Sequence, residues 1–148
     1  MGRHAAADVR FDFDGSLALA RRLWRFADEL EDLGTGRRNQ AEQALTTFTG
    51  VYARQFAQRI SDEVRDLGVG ANELRAVAGA WAQAWASAIN EQNRRLFARE
   101  CDRIESDRSL LDDVKGFFGG HDDLPPQPGE LGVPQPPHFA ATGSFVRY

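Results

Sequence analysis

Two acids, Asp12 and Asp14, stand two residues apart in Phe11-Asp12-Phe13-Asp14-Gly15-Ser16-Leu17, near the start of a chain of 148 residues. A carboxylate pair of this kind supplies the groups that nucleophilic and general acid–base chemistry need. The other reactive residues are sparser. His4, His121 and His138 are far apart, and none has a second ligand at helical spacing. Only His121-Asp122-Asp123 gathers donors for a metal ion, and a solvated helix exit is the better reading of that run. Cys101 is the single cysteine, so neither an internal disulfide nor a cysteine-based zinc site can form. It falls on an apolar stripe and reads as a small core residue. Asp32-Leu33-Gly34-Thr35-Gly36 has the composition of a phosphate-cradling turn. It follows a leucine heptad where such a turn needs a strand, and it lacks the lysine of a P-loop. Arg94, Arg95, Arg99 and Arg103 make one positive patch, but Glu91, Glu100, Asp102 and Glu105 surround it and imply a solvated, salt-bridged face.

The Asp12–Leu17 segment resembles motif I of the haloacid dehalogenase phosphohydrolases. That resemblance would make Asp12 a nucleophile and Asp14 a general acid–base. Such a site belongs at the carboxyl edge of a parallel sheet, and the rest of the chain offers no second buried strand and no Ser or Thr closing one. The competing reading is an extended lead-in, in which Val9, Phe11 and Phe13 alternate with Arg10, Asp12 and Asp14. A helix then begins near Asp14 or Ser16, either of which can accept its free backbone N–H groups. No catalytic, cofactor or metal-binding residue is assigned.

The elements around these residues are helical. All six prolines lie between Pro125 and Pro137, and the first 124 residues have none. Proline inside a helix costs about 3 kcal/mol, so this partition is a boundary. Before it, Leu19, Leu23, Phe26, Leu30 and Leu33 recur at spacings of 4, 3, 4 and 3, a heptad seam. Gly34 and Gly36 predict a kink, after which Ala41, Ala44, Leu45 and Phe48 resume the stripe. Tyr52, Phe56, Ile60, Val64 and Leu67 begin a second helix after Gly50. Gly68 and Gly70 predict another interruption before Leu74, Val77, Trp81, Trp85, Ala88 and Ile89, and the pattern drifts on through Leu96, Cys101 and Ile104. Leu111, Val114 and Phe118 close it, with Ser106 or Ser109 able to start a separate short helix. After Gly119–Gly120 the chain reads as an extended, polyproline-like tail carrying Phe139, Phe145, Val146 and Tyr148.

Charged residues are 27% and hydrophobic ones 42% of the chain, which suits a folded domain. Eighteen basic residues against 22 acidic give a net charge of −4, which disfavours a general nucleic-acid binder. No apolar run approaches the roughly 20 residues of a membrane span, and Met1–Arg10 lacks the apolar core of a secretory signal.

Phe48-Thr49-Gly50-Val51-Tyr52-Ala53-Arg54-Gln55-Phe56 falls where the two long helices must reverse. It resembles the turn of the WXG family, the small helical-hairpin proteins of type VII secretion, with F-T-G in place of W-x-G. The resemblance spans roughly Phe11 to Ile104. It implies Phe48 and Gly50 as the turn motif, with the aromatic plugging the end of the hairpin and packing between the helices. Gly50 supplies the positive φ that a tight reversal needs. It also implies export by a non-Sec route after cytoplasmic synthesis, although the Y-x-x-x-D/E signal beyond helix 2 has no counterpart: the only tyrosines are Tyr52 and Tyr148.

The fold expected is therefore all-α, a long antiparallel helical hairpin forming a bundle, with residues 1–15 a lead-in, 16–118 the helical domain and 119–148 a Pro/Gly-rich tail. The function expected is protein–protein interaction, pairing with itself or with a second helical protein as a homo- or hetero-oligomer, without nucleic acid, membrane span or cofactor. The alternative is a scaffold subunit of a larger bacterial assembly, with the tail as a docking strap. Trp24, Val77, Trp81, Trp85 and Ile89 are the expected partner interface, because tryptophans are enriched at binding hot spots and a two-helix hairpin leaves apolar flanks in water.

Overall fold

The computed structural model describes residues 7–112 and 124–148, with residues 110–112 described by their backbone alone. Two α-helices account for most of it, α1 over Phe13–Leu45 and α2 over Val51–Asp112. They pack against each other as an antiparallel hairpin, and no strand occurs among the described residues. At 1.5 Å per residue α1 is about 50 Å long and α2 about 93 Å. Both run from the same turn, so α2 continues about 40 Å past the start of α1.

The helix begins earlier than the alternation of Val9–Asp14 implies. Asp12 is the N-cap: its carboxylate accepts the Gly15 N–H at 2.9 Å, and its carbonyl accepts the Ser16 N–H at 3.0 Å. A Cβ at residue 15 would lie 2.0 Å from the Asp12 carboxylate, so glycine is what lets this acid cap the helix in that pose.

The residues that face α2 are small. Ala20, Ala27, Gly34 and Ala41 recur every seven residues along α1 and are buried, opposite Ala53, Ala71, Ala78 and Ala82 of α2. Small side chains let the two backbones approach closely, and this displaces the large ones. Leu19, Phe26 and Leu33, which belong to the heptad seam read from the sequence, are exposed on the flank, and Leu23 and Leu30 are half-buried. The expected kink at Gly34–Gly36 is absent for the same reason. Gly34 sits against Val64 and Leu67, and packing outweighs the roughly 1 kcal/mol by which glycine weakens a helix. Helix α2 likewise runs unbroken through Gly68 and Gly70, and through Ser106 and Ser109 to Asp112. The stripe positions Leu111, Val114 and Phe118, with Gly119–Gly120, lie outside what is described of side chains.

The chain reverses over residues 46–50. The Thr46, Thr47 and Phe48 N–H groups bond back to carbonyls of Gln43 and Ala44, and Gly50 has φ +97°. The glycine expectation is met there. Phe48, however, does not pack between the helices. It remains 43% exposed and lies edge-on against Phe56, with ring centroids 6.3 Å apart. Ala41 and Ala53, both buried, occupy the seam near the tip instead.

The tail has no helix or strand over residues 124–148, and it folds back on the hairpin. Its Pro136–Pro137 bond is cis. Phe139 is 1% exposed and joins Leu17, Ala20, Ala78, Ala82, Trp85, Ala86 and Ile89 in a core cluster at the open end of the hairpin.

Candidate functional site

Three buried or half-buried amides on α2 organise that end of the molecule. Asn90 donates from Nδ2 to the Leu131 carbonyl at 2.9 Å and accepts the Leu131 N–H at 2.7 Å. Asn93, one turn on, accepts the Val146 N–H at 3.0 Å and donates to the Ser144 carbonyl at 3.5 Å. Gln92 accepts the Val9 N–H at 2.7 Å and donates to Asp8 at 2.8 Å. Each amide offers a donor and an acceptor side by side, as a strand edge does, so each can hold one extended backbone in place of a sheet. The outgoing run of the tail, its returning run and the lead-in are held this way. The two tail runs also meet each other, with the Thr142 hydroxyl donating to the Gly132 carbonyl at 2.6 Å. Arg21 of α1 clamps the bend by donating to the Phe139 carbonyl at 3.1 Å.

Charges reinforce this end. Hydrogen bonds from Gln92 and then Arg99, with the Arg99 charge, hold the Asp8 carboxyl below its usual range. Arg75 pairs with Asp28 at 2.7 Å and Glu31 at 2.6 Å and stacks 5.3 Å from the Trp24 ring. The Glu31 and Asp28 hydrogen bonds push the Arg75 guanidinium up, and the same Arg75 contact holds the Glu31 carboxyl down.

The two sides of the hairpin differ. On one, Trp24 packs edge-on against Phe139 at 5.7 Å, beside Arg75, under the tail. The other side is open. Leu30 faces Gly70 there, and Leu19, Phe26 and Leu33 share its helical face at spacings of three, four and seven. Val77 is seven residues from Gly70 and Trp81 four further, which puts both on the same side of α2. These five side chains are 36%, 50%, 48%, 46% and 38% exposed, in the order Leu19, Phe26, Leu33, Val77 and Trp81. The residues expected at a partner interface are thus divided. Val77 and Trp81 lie on the open face. Trp85 and Ile89 are inside the chain's own core, and Trp24 is half-buried under the tail. The tail does for one flank what a partner was expected to do.

A groove of about 490 Å³ interrupts the open face, lined by Leu30, Leu67 and Gly70 with Arg59, Asp62, Glu63 and Asp66 along its rim.

No protein-family model matches the chain, and neither does any curated protein or solved structure.

The carboxylates of Asp12 and Asp14 have local roles in this geometry. Asp12 caps α1, and Asp14 is exposed in its first turn. No group of three His, Cys, Asp or Glu among the described residues could hold a metal ion. His4 and His121-Asp122-Asp123 lie outside the described residues. Cys101 is a free thiol of intermediate burial on α2. The residues that sequence reasoning missed are Asn90, Gln92 and Asn93. Their signal was available: three amides fall within four residues directly after the buried Ile89, in a stretch that the apolar stripe crosses.

Proposed function

We propose that this chain is a non-enzymatic helical interaction module, similar to the WXG-like proteins of type VII secretion, which pairs with itself or with a second helical protein. The observation that carries the reading is the asymmetry of the hairpin. One flank is covered near the open end by the chain's own tail, while the other presents Leu19, Phe26, Leu33, Val77 and Trp81 together to water. Five large apolar side chains on one side of a thin rod mark an interaction surface more than a solvent face. The glycine reversal at Gly50, between two long proline-free helices, supports the family reading. In this reading the chain is made in the cytoplasm and leaves by a non-Sec route. Neither described helix is long and apolar enough to cross a membrane.

The tail's role as a strap onto a larger assembly is the second reading: Phe139 is buried and Leu131 and Val133 pack on the core, which holds the tail to its own hairpin, while Phe145 and Tyr148 are 44% and 47% exposed. The test is mass photometry of the purified chain, alone and with the product of a neighbouring gene, followed by a secretion assay in cells lacking the type VII ATPase. Pairing together with ATPase-dependent export is the expected result. A monomer indifferent to every neighbour would refute it, as would magnesium-dependent phosphatase activity abolished by Asp12→Asn.

A further inference from the structure

We propose that the open face is occupied by a second copy of this chain, with α1 antiparallel to the partner's α1 across a two-fold axis at Phe26. This rests on the reading of that face as an interface. The first observation is charge. The flank of the seam facing away from α2 carries Arg22 and Glu29, both exposed, and neither forms an ion pair among the described residues. The inner flank carries only Ala20, Ala27 and Gly34. In a parallel pairing each charged flank would lie against that uncharged one. Antiparallel pairing sets outer flank on outer flank, and with the axis at Phe26 it places Arg22 of each copy beside the partner's Glu29. The attraction is made twice, as a two-fold interface requires. The same register sets Leu19 beside the partner's Leu33 and Leu23 beside the partner's Leu30.

The second observation is shape, and it selects the same axis independently. Within the chain, Leu30 faces Gly70, and Arg75 spans Asp28 and Glu31. The level of Phe26 on α1 therefore corresponds to about residue 75 on α2 by the antiparallel register. Trp81 lies six residues to one side of that level and Gly70 five to the other. A two-fold axis there carries Trp81 onto the partner's groove between Leu30, Leu67 and Gly70, whose volume of about 490 Å³ is ample for an indole. Trp81 cannot fill that groove in its own chain, since eleven helical residues separate it from Gly70 by about 16 Å. The five exposed side chains leave roughly 400 Å² of apolar surface per copy, judged from typical side-chain areas. Two copies, with a polar rim of the usual proportion, reach about 1,300 Å², within the range of stable interfaces.

The experiment measures the dimer dissociation constant for Arg22→Glu, Glu29→Arg and the double variant. Both residues are exposed and unpaired, so each variant should keep the parent's helicity by circular dichroism. Each single reversal is expected to weaken the dimer about tenfold through two like-charge contacts, and the double variant to return within about threefold of the parent. Single cysteines on a Cys101→Ser background fix the register. Phe26→Cys should oxidise to a covalent dimer. Leu33→Cys should not, because its two copies would lie about 21 Å apart. Leu19→Cys mixed with Leu33→Cys should cross-link. A dimer indifferent to charge reversal, or one that cross-links through Leu33→Cys alone, overturns the register and leaves the face as an interface. A chain monomeric at about 100 μM that binds a second helical protein through Trp81 overturns self-pairing and leaves the functional reading standing. A monomer that binds neither overturns both.

Discussion

Replacing Phe139 by Ala is the sharpest perturbation of the sealed flank. The ring is 1% exposed, against Leu17, Trp24, Trp85 and Ile89. Burial of about 200 Å² at 25 cal/mol per Å² sets a ceiling of about 5 kcal/mol, and a denatured chain that is already partly collapsed lowers it. Measured Phe→Ala costs of about 3–5 kcal/mol fall in the same range. The tail has a choice that a core helix lacks, since it can detach and leave no cavity behind. The loss should therefore appear as release of the tail before global unfolding. Release would wet Trp85, which is 2% exposed, and half-buried Trp24, whereas Trp81 is already 38% exposed. The expected readings are a red shift of tryptophan emission, faster acrylamide quenching and loss of exchange protection at the Leu131 and Val146 amides, which Asn90 and Asn93 hold. The far-UV helical signal should barely change. A variant with the parent's emission and amide protection would refute the argument that Phe139 anchors the tail.

Asn90→Ala removes both bonds to Leu131 and should cost about 1–3 kcal/mol, read as deprotection of the Leu131 amide with the helices intact. Ala27→Leu puts a large side chain into a seam where residue 27 has no exposed surface; overpacking should lower the unfolding free energy by about 1–3 kcal/mol, whereas the same change at exposed Asn39 should stay within about 0.5 kcal/mol. Gly50→Val must place a β-branched residue at φ +97° and should destabilise by about 1–3 kcal/mol; an unchanged melting temperature would mean that the turn tolerates it. Acid should free the lead-in. The folded Asp8 carboxyl is held below its ordinary 3.8, so its contribution is present above that value and is lost as pH falls through the lower folded one. The Val9 amide should lose exchange protection as pH falls through that lower folded value, and Asp8→Asn should show that loss at neutral pH.

Much of this architecture is legible without coordinates. The proline-free stretch, the heptad spacings and Gly50 specify two long helices and the reversal between them, because helix propensity, amphipathic period and positive φ are properties of local sequence. The extended tail follows as directly, since proline can join neither a helix interior nor a ladder. What local pattern cannot rank is which of two adjacent stripes is buried. Leu19–Leu33 and Ala20–Ala41 lie one residue apart on the same helix, and hydrophobicity favours the leucines. Close approach of the backbones favours the alanines and Gly34, a gain that exists only once α2 is in place. The glycine breaks and the position of Phe48 turn on the same kind of contact. So does the division of the expected interface. Trp81 and Trp85 are equivalent in sequence, four residues apart on one helix, yet one faces water and the other lies beneath Phe139, more than fifty residues downstream. Sequence alone determined the helices, their reversal and the extended character of the tail, all of which are set by each residue and its near neighbours. Only the tertiary structure decided which flank the tail would seal and which would stay open, because that choice depends on Asn90, Asn93 and Arg21 meeting backbone groups that no local window contains.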